Sequence, residues 1–231
     1  MDIGWRQRER GPIQRHLDHS DLAMREPEAK IMSPVSDPPI QRILSAATAD
    51  ILAFGPERTT VVSIARAAGM THANIYRHFE DKDALFDAVT LLWLKPLEAR
   101  LGEIADAPDP AHDKLERLLL GLVSAYRDRI EQEPRLFDLF VAAFSESRPL
   151  ARQHRARVRI LLDRVLEEGQ SAGAFAFKSR EKALTLILDA LYRFLNPEPV
   201  RSDREMARKI WEGRRSAVIA TLLAMLGTGR L

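Results

Sequence analysis

Apolar residues return every three or four positions along nearly all of the chain from Ile40 onward, and no segment alternates with a period of two. That pattern selects helices. Each apolar stripe must be buried against another helix, so the expected fold is all-α, with about nine helices. The clearest stripe is Ile40, Ile43, Leu44, Ala47, Ile51 and Phe54, about four turns long and stopped by Gly55-Pro56. Two short helices follow, Thr60 to Ala68 and Thr71 to about Phe79, broken apart at Gly69. Asp81 is placed to cap a fourth helix from Lys82, and Pro96 is expected to kink or end it. Five more are read over Lys114–Glu131, Arg135–Ser147, Leu150–Gln170, Arg180–Leu195 and Asp203–Leu226. Asn196-Pro197-Glu198-Pro199 separates the last two.

The 231 residues suffice for one or two domains with a real core. Residues 1–36 lack a sustained apolar period, carry both signs of charge, and lead into a proline-rich stretch ending at Pro38-Pro39. They read as a mostly disordered extension, with a transient helix around Ile13–Arg25. Met24 and Met32 lie just upstream of the periodic region and leave a later start open. The chain has no cysteine, which excludes disulfides, thiolate metal sites and a cysteine nucleophile and fits a reducing cytoplasm. No apolar run is long enough for a membrane span, and the charged N-terminus has no apolar region behind it to make a secretory signal.

Charge does not single out a partner. Lys and Arg number 35 against 33 Asp and Glu, and no segment is a basic block. Any contact with nucleic acid must come from where particular side chains point. The informative stretch is Thr60 to Phe79, a helix, a sharp turn at Gly69 and a second helix. Ala65 and Ala68 are small enough for a close crossing, Gly69 supplies the positive φ of a tight turn, and Ile64, Met70 and Ile75 plug the angle. By mechanism this is a helix-turn-helix, in which one helix braces while the next lies in a major groove.

At these residues the sequence resembles the TetR family of bacterial transcriptional regulators. The resemblance is carried by Gly55, Thr60, Ile64-Ala65, Ala68-Gly69, Thr71, Ile75-Tyr76, His78-Phe79, Asp81-Lys82-Asp83 and Leu85, and covers about residues 37–97. It implies a helix-turn-helix DNA-binding domain over 37–97 and a helical effector-binding and dimerisation domain over 98–231. It also implies phosphate contacts from Thr60 and Thr71 at helix N-termini, from Tyr76 and His78, and from Lys82; Arg42 is a further candidate. Base reading falls to His72, Ala73, Asn74 and Arg77, since Arg pairs bidentately with guanine, Asn with adenine, and an Ala methyl meets thymine. Plainer readings of the same residues are helix capping by the threonines, packing of Tyr76, a solvated His72 and surface ion pairing of Lys82.

The resemblance further implies a homodimer through the last two helices, placing two readers on a double-stranded, near-palindromic DNA operator. Candidates for that interface are Leu184, Ile187, Leu188, Leu191 and Leu195, and Ile210, Trp211, Val218, Ile219, Leu222, Leu223 and Leu226; some must be ordinary core. An unidentified small-molecule effector is expected among the middle helices, near Trp93, Tyr126, Phe137, Phe140 and Phe144, with Leu119, Val123, His154 and Leu161 as further candidates. His154 stands in a run of arginines and reads as solvated. Effector binding is expected to release a repressor by shifting the population toward a state with wrongly spaced reading helices. The alternative is a ligand-independent DNA-binding protein acting through protein partners. The sequence holds no G-x-S-x-G, H-E-x-x-H, P-loop or G-x-G-x-x-G motif, and no cofactor is expected. His16-x-x-His19 lacks a third metal ligand.

Overall fold

The computed structural model describes residues 38–228, all within one compact unit spanning Val35–Leu231. The extension, its transient helix and His16-x-x-His19 lie outside the described residues. Eleven helices make up the described chain, with no strand among them. They are α1 (Pro38–Phe54), α2 (Val61–Ala67), α3 (His72–Tyr76), α4 (Lys82–Asp106), α5 (Ala111–Gln132), α6 (Pro134–Ser145), α7 (Pro149–Ser171), α8 (Arg180–Ala190), α9 (Tyr192–Leu195), α10 (Pro197–Ser202) and α11 (Arg208–Thr228).

The α1 stripe is buried from Ile40 to Ile51 as its spacing requires. Phe54 departs from expectation and is 57% exposed, because Gly55 turns the chain at φ +85° before that side chain reaches the core. Ile40, Ile43, Leu44, Ala47 and Ile51 pack on Val61, Ile64 and Ala65 of α2, Ile75 of α3 and Leu85, Phe86 and Val89 of α4. Leu136 and Leu139 of α6 join this N-terminal cluster from far along the chain. A second, larger cluster fills the space among α4 to α11, and Trp93 packs against both.

Pro96 neither ends nor divides α4, which runs unbroken to Asp106. A proline removes one helical hydrogen bond and crowds the preceding turn. Beside that turn the Arg129 guanidinium donates to the Trp93 carbonyl at 2.8 Å and lies 4.3 Å from the Trp93 ring centroid. Position 97 is therefore mid-helix, and α4 is shared by both halves of the described chain.

The count exceeds nine because the first C-terminal segment subdivides and the stretch between the two segments is itself helical. Leu191 interrupts the first, and Pro197–Ser202 forms a short helix of its own, with Pro197 at the position where its missing N–H costs nothing. Asp203 does not open the last helix. Its carboxylate receives Arg193, and its carbonyl, with those of Arg204 and Met206, accepts from the buried Arg127 of α5. Those bonds hold residues 203–206 off the helical path, so α11 begins at Arg208. Gly169 in α7 permits another close approach, because a Cβ there would lie 2.1 Å from a Phe175 ring carbon.

Candidate nucleic-acid interface and adjoining cavity

The Thr60 hydroxyl accepts from the Ser63 amide at 3.0 Å, and the Ser63 hydroxyl accepts from the Thr60 amide at 3.1 Å, a reciprocal cap on α2. Ser63 also donates to Asp50 of α1 at 2.7 Å, which ties the bracing helix to its neighbour. Gly69 has φ +65°, and the Met70 amide returns to the Ala65 carbonyl at 2.9 Å, closing the tight turn. Thr71 caps α3 through the Asn74 amide at 3.3 Å. The threonines thus cap as the plainer reading has it, and both remain exposed.

Ile75 anchors α3 in the N-terminal cluster while His72, Ala73, Tyr76, Arg77 and His78 are exposed; Asn74 is half-buried. Tyr76 is 44% exposed and meets His72 edge-on, with centroids 4.8 Å apart, as i and i+4 on a helix allow. Arg42 and Arg77 stand exposed with no acidic partner among the described residues. Lys82 differs from the rest. Its ammonium is half-buried, donates to the Pro56 carbonyl at 3.1 Å and lies 4.9 Å from the Phe86 ring centroid. It fastens the α1–α2 turn to α4.

Two family models match, one described as "Bacterial regulatory proteins, tetR family" over residues 43–89 and the other as "Tetracyclin repressor-like, C-terminal domain" over residues 111–210. The chain belongs to the TetR family. Among its TetR relatives, an uncharacterized HTH-type transcriptional regulator, YhgD of Bacillus subtilis, is 31% identical over 81 residues, 35% of this chain and 42% of YhgD. The nucleoid occlusion factor SlmA of Vibrio vulnificus is 25% identical over 69% of this chain and 84% of its own. The transcriptional regulator FadR of Bacillus subtilis, solved in complex with stearoyl-CoA, shares the TetR fold at a TM-score of 0.57 and 19% identity, covering 82% of this chain and 98% of FadR.

In this TetR chain the middle helices hold a cavity of about 370 Å³ beside α5, α6, α7, α8 and α9. Of the effector-site candidates named from the sequence, Tyr126, Phe144 and His154 line it. Trp93, Phe137 and Phe140 do not. Phe137 and Phe140 stack edge-to-face with Tyr126, with Trp93 and with each other, and the Trp93 indole donates to Glu133 at 2.6 Å. Leu119, Val123 and Leu161 also lie outside the lining.

His154 is not solvated. It is 1% exposed and lines the cavity, with Nε2 2.7 Å from the Tyr126 hydroxyl and Nδ1 2.8 Å from Glu98. Burial raises the Glu98 carboxyl, but the hydrogen bonds from His154 and Arg157 more than offset that and leave it below its ordinary range. Burial also pushes the Tyr126 phenol well above its usual value, so it remains a hydroxyl. No local pattern announces this group, because its members sit 28 and 56 positions apart.

Sequence reasoning also missed Arg148 at the α6–α7 turn, which pairs with Asp87 at 3.1 Å and Asp83 at 3.6 Å on α4. Among the described residues no group of three or more His, Asp or Glu side chains is placed to hold a metal, and no helix is long and apolar enough to cross a membrane. Most of the C-terminal interface candidates are buried in their own chain: Leu184, Ile187, Leu191, Trp211, Ile219, Leu222, Leu223 and Leu226. Leu188, Leu195 and Val218 are partly buried, and Ile210 is 60% exposed.

Proposed function

We propose that the protein is a sequence-specific DNA-binding regulator that grips a near-palindromic operator as a homodimer and, as a repressor, is released by a small molecule. The observation that carries this reading is the outer side of α3. A five-residue helix is anchored by Ile75 alone and offers His72, Ala73, Tyr76 and Arg77 outward on a capped brace. Arg77 reads a base edge; Tyr76, His78 and the exposed Arg42 meet phosphates. Lys82 acts mainly by fixing the frame, through Pro56.

Dimerisation is assigned to α8 and α11. The outward row Ala217, Ala220, Thr221 and Ala224 is small and exposed, and Leu186, Ala190, Val218 and Met225 border a shallow apolar groove beside it. A second copy of the same pair would bury this face in a four-helix contact. The route from effector to DNA is short. Phe144 lines the cavity on α6, and four residues on Arg148 grips α4, whose start carries the reader. A ligand that favours one setting of that turn shifts operator affinity about 5–150-fold, for a coupling of roughly 1–3 kcal/mol.

Gel shift on DNA from the protein's own upstream region, with and without metabolite extract, tests the reading. Specific binding that an extract relieves supports it. Absence of specific binding, or binding that no extract alters, counts against the regulator and the effector parts respectively.

A further inference from the structure

The cavity's two ends differ in charge. Its inner wall is Tyr126 and His154. The His154 ring is engaged at both nitrogens, Nδ1 with Glu98 and Nε2 with the Tyr126 hydroxyl. The polar atoms of that wall are therefore paired with one another, and the Glu98 carboxylate stands directly behind them. An anion placed there faces the ionised Glu98.

The outer rim carries two arginines from α7. Arg159 is occupied, donating to both oxygens of Glu181 at 2.6 and 2.7 Å. Arg155 is free of acidic partners among the described residues, and its guanidinium lies 5.0 Å from the Phe144 ring centroid, at the border of the cavity. Between rim and wall the surface is apolar, from Leu122, Val158, Leu188 and Leu195. Asp189 stands on the α8 side of the same rim, without a basic partner among the described residues.

We propose that this cavity takes a small organic monoacid, its apolar body lying against Leu122 and Leu188 and its carboxylate turned outward onto Arg155. The orientation follows from charge, since the rim has a guanidinium without an acidic partner among the described residues and the inner wall is backed by Glu98. A flat guanidinium seated over an aromatic ring presents its edge to a carboxylate in the two-bond geometry that lysine cannot match. Asp189 limits the charge, because a second negative group at the rim would face it. The volume lies at the lower end of the range for small-molecule sites, about 300–1,000 Å³, which favours a compact acid.

The inference rests on the effector reading above and is tested apart from it. Octanoate and 3-phenylpropionate, with their primary amides, are titrated calorimetrically into the full chain, into Arg155→Gln, and into Arg152→Gln. Arg152 is an exposed arginine of the same helix outside the cavity lining. The acids should bind the full chain and Arg152→Gln alike, and Arg155→Gln at least about tenfold more weakly, with the amides insensitive to either change. Equal binding of acid and amide, unchanged acid binding by Arg155→Gln, or no binding of either acid at millimolar concentration overturns the proposal. Operator binding by the unliganded preparations is read in parallel. If it is intact while the acids fail, this inference alone falls; if it is absent, the regulator reading falls whatever the acids do.

Discussion

Tyr126 on α5 and His154 on α7 are joined by a 2.7 Å hydrogen bond between the phenol and Nε2, and Glu98 of α4 holds the other ring nitrogen at 2.8 Å. Three helices are pinned by one imidazole. A histidine buried this fully needs both nitrogens satisfied, and each partner here comes from a different helix.

Tyr126→Phe removes one hydrogen bond and leaves His154 Nε2 without its partner. It should destabilise the protein by about 1–3 kcal/mol in urea denaturation. An unchanged midpoint would mean the bond contributes nothing net.

Glu98 gives this group a pH dependence of known sign. Its folded-state carboxyl lies below the ordinary 4.5, so its stabilisation is present above that value and lost as pH falls through the folded-state value. The stability gap between the full chain and Glu98→Gln should be widest near neutrality and narrow in acid, which denaturation midpoints across pH would show.

Arg77→Ala and Lys82→Ala should fail differently. Loss of Arg77 removes base readout worth about 1–3 kcal/mol and relaxes operator preference in competition gel shifts. Loss of Lys82 frees the Pro56 carbonyl, so its first effect is a lower melting temperature, from a charge-assisted bond worth about 1.5–3 kcal/mol. A Lys82→Ala protein of normal stability with a flattened salt slope would return that residue to direct phosphate contact.

Gly169→Ala should cost about 1–3 kcal/mol of overpacking, because the new methyl meets the Phe175 ring at 2.1 Å. Adding Phe175→Leu should recover part of the loss, measured as non-additivity in a double-mutant cycle.

Ala217→Glu places a charge on the outward side of α11 without touching the chain's own core. Sedimentation should then show a monomer, with operator binding lost, since burying an unpaired carboxylate in an interface costs several kcal/mol. A dimer that persists would move the interface elsewhere.

Local chemistry made the reader legible in one dimension. Thr60 and Thr71 cap, Gly69 turns and Ile75 anchors through contacts made within a few residues, so their spacing alone locates the helix-turn-helix. The α1 stripe was legible for the same reason up to Phe54, where the turn at Gly55 defeats periodicity. Pro96 does not end α4, because the helix is held on both sides of it by packing against distant helices.

The sequence by itself determined the all-helical class, the family and the helix-turn-helix, because caps, turns and period-3.6 burial are decided by neighbours in the chain. Only the tertiary structure decided which aromatic residues border a cavity and which fill the core, that His154 is held between Tyr126 and Glu98, that Lys82 serves Pro56, and that Arg155 is left unpaired at a rim. Those outcomes depend on partners brought together by packing from distant helices, and the pairing of a charge with its partner leaves no periodic trace along the chain.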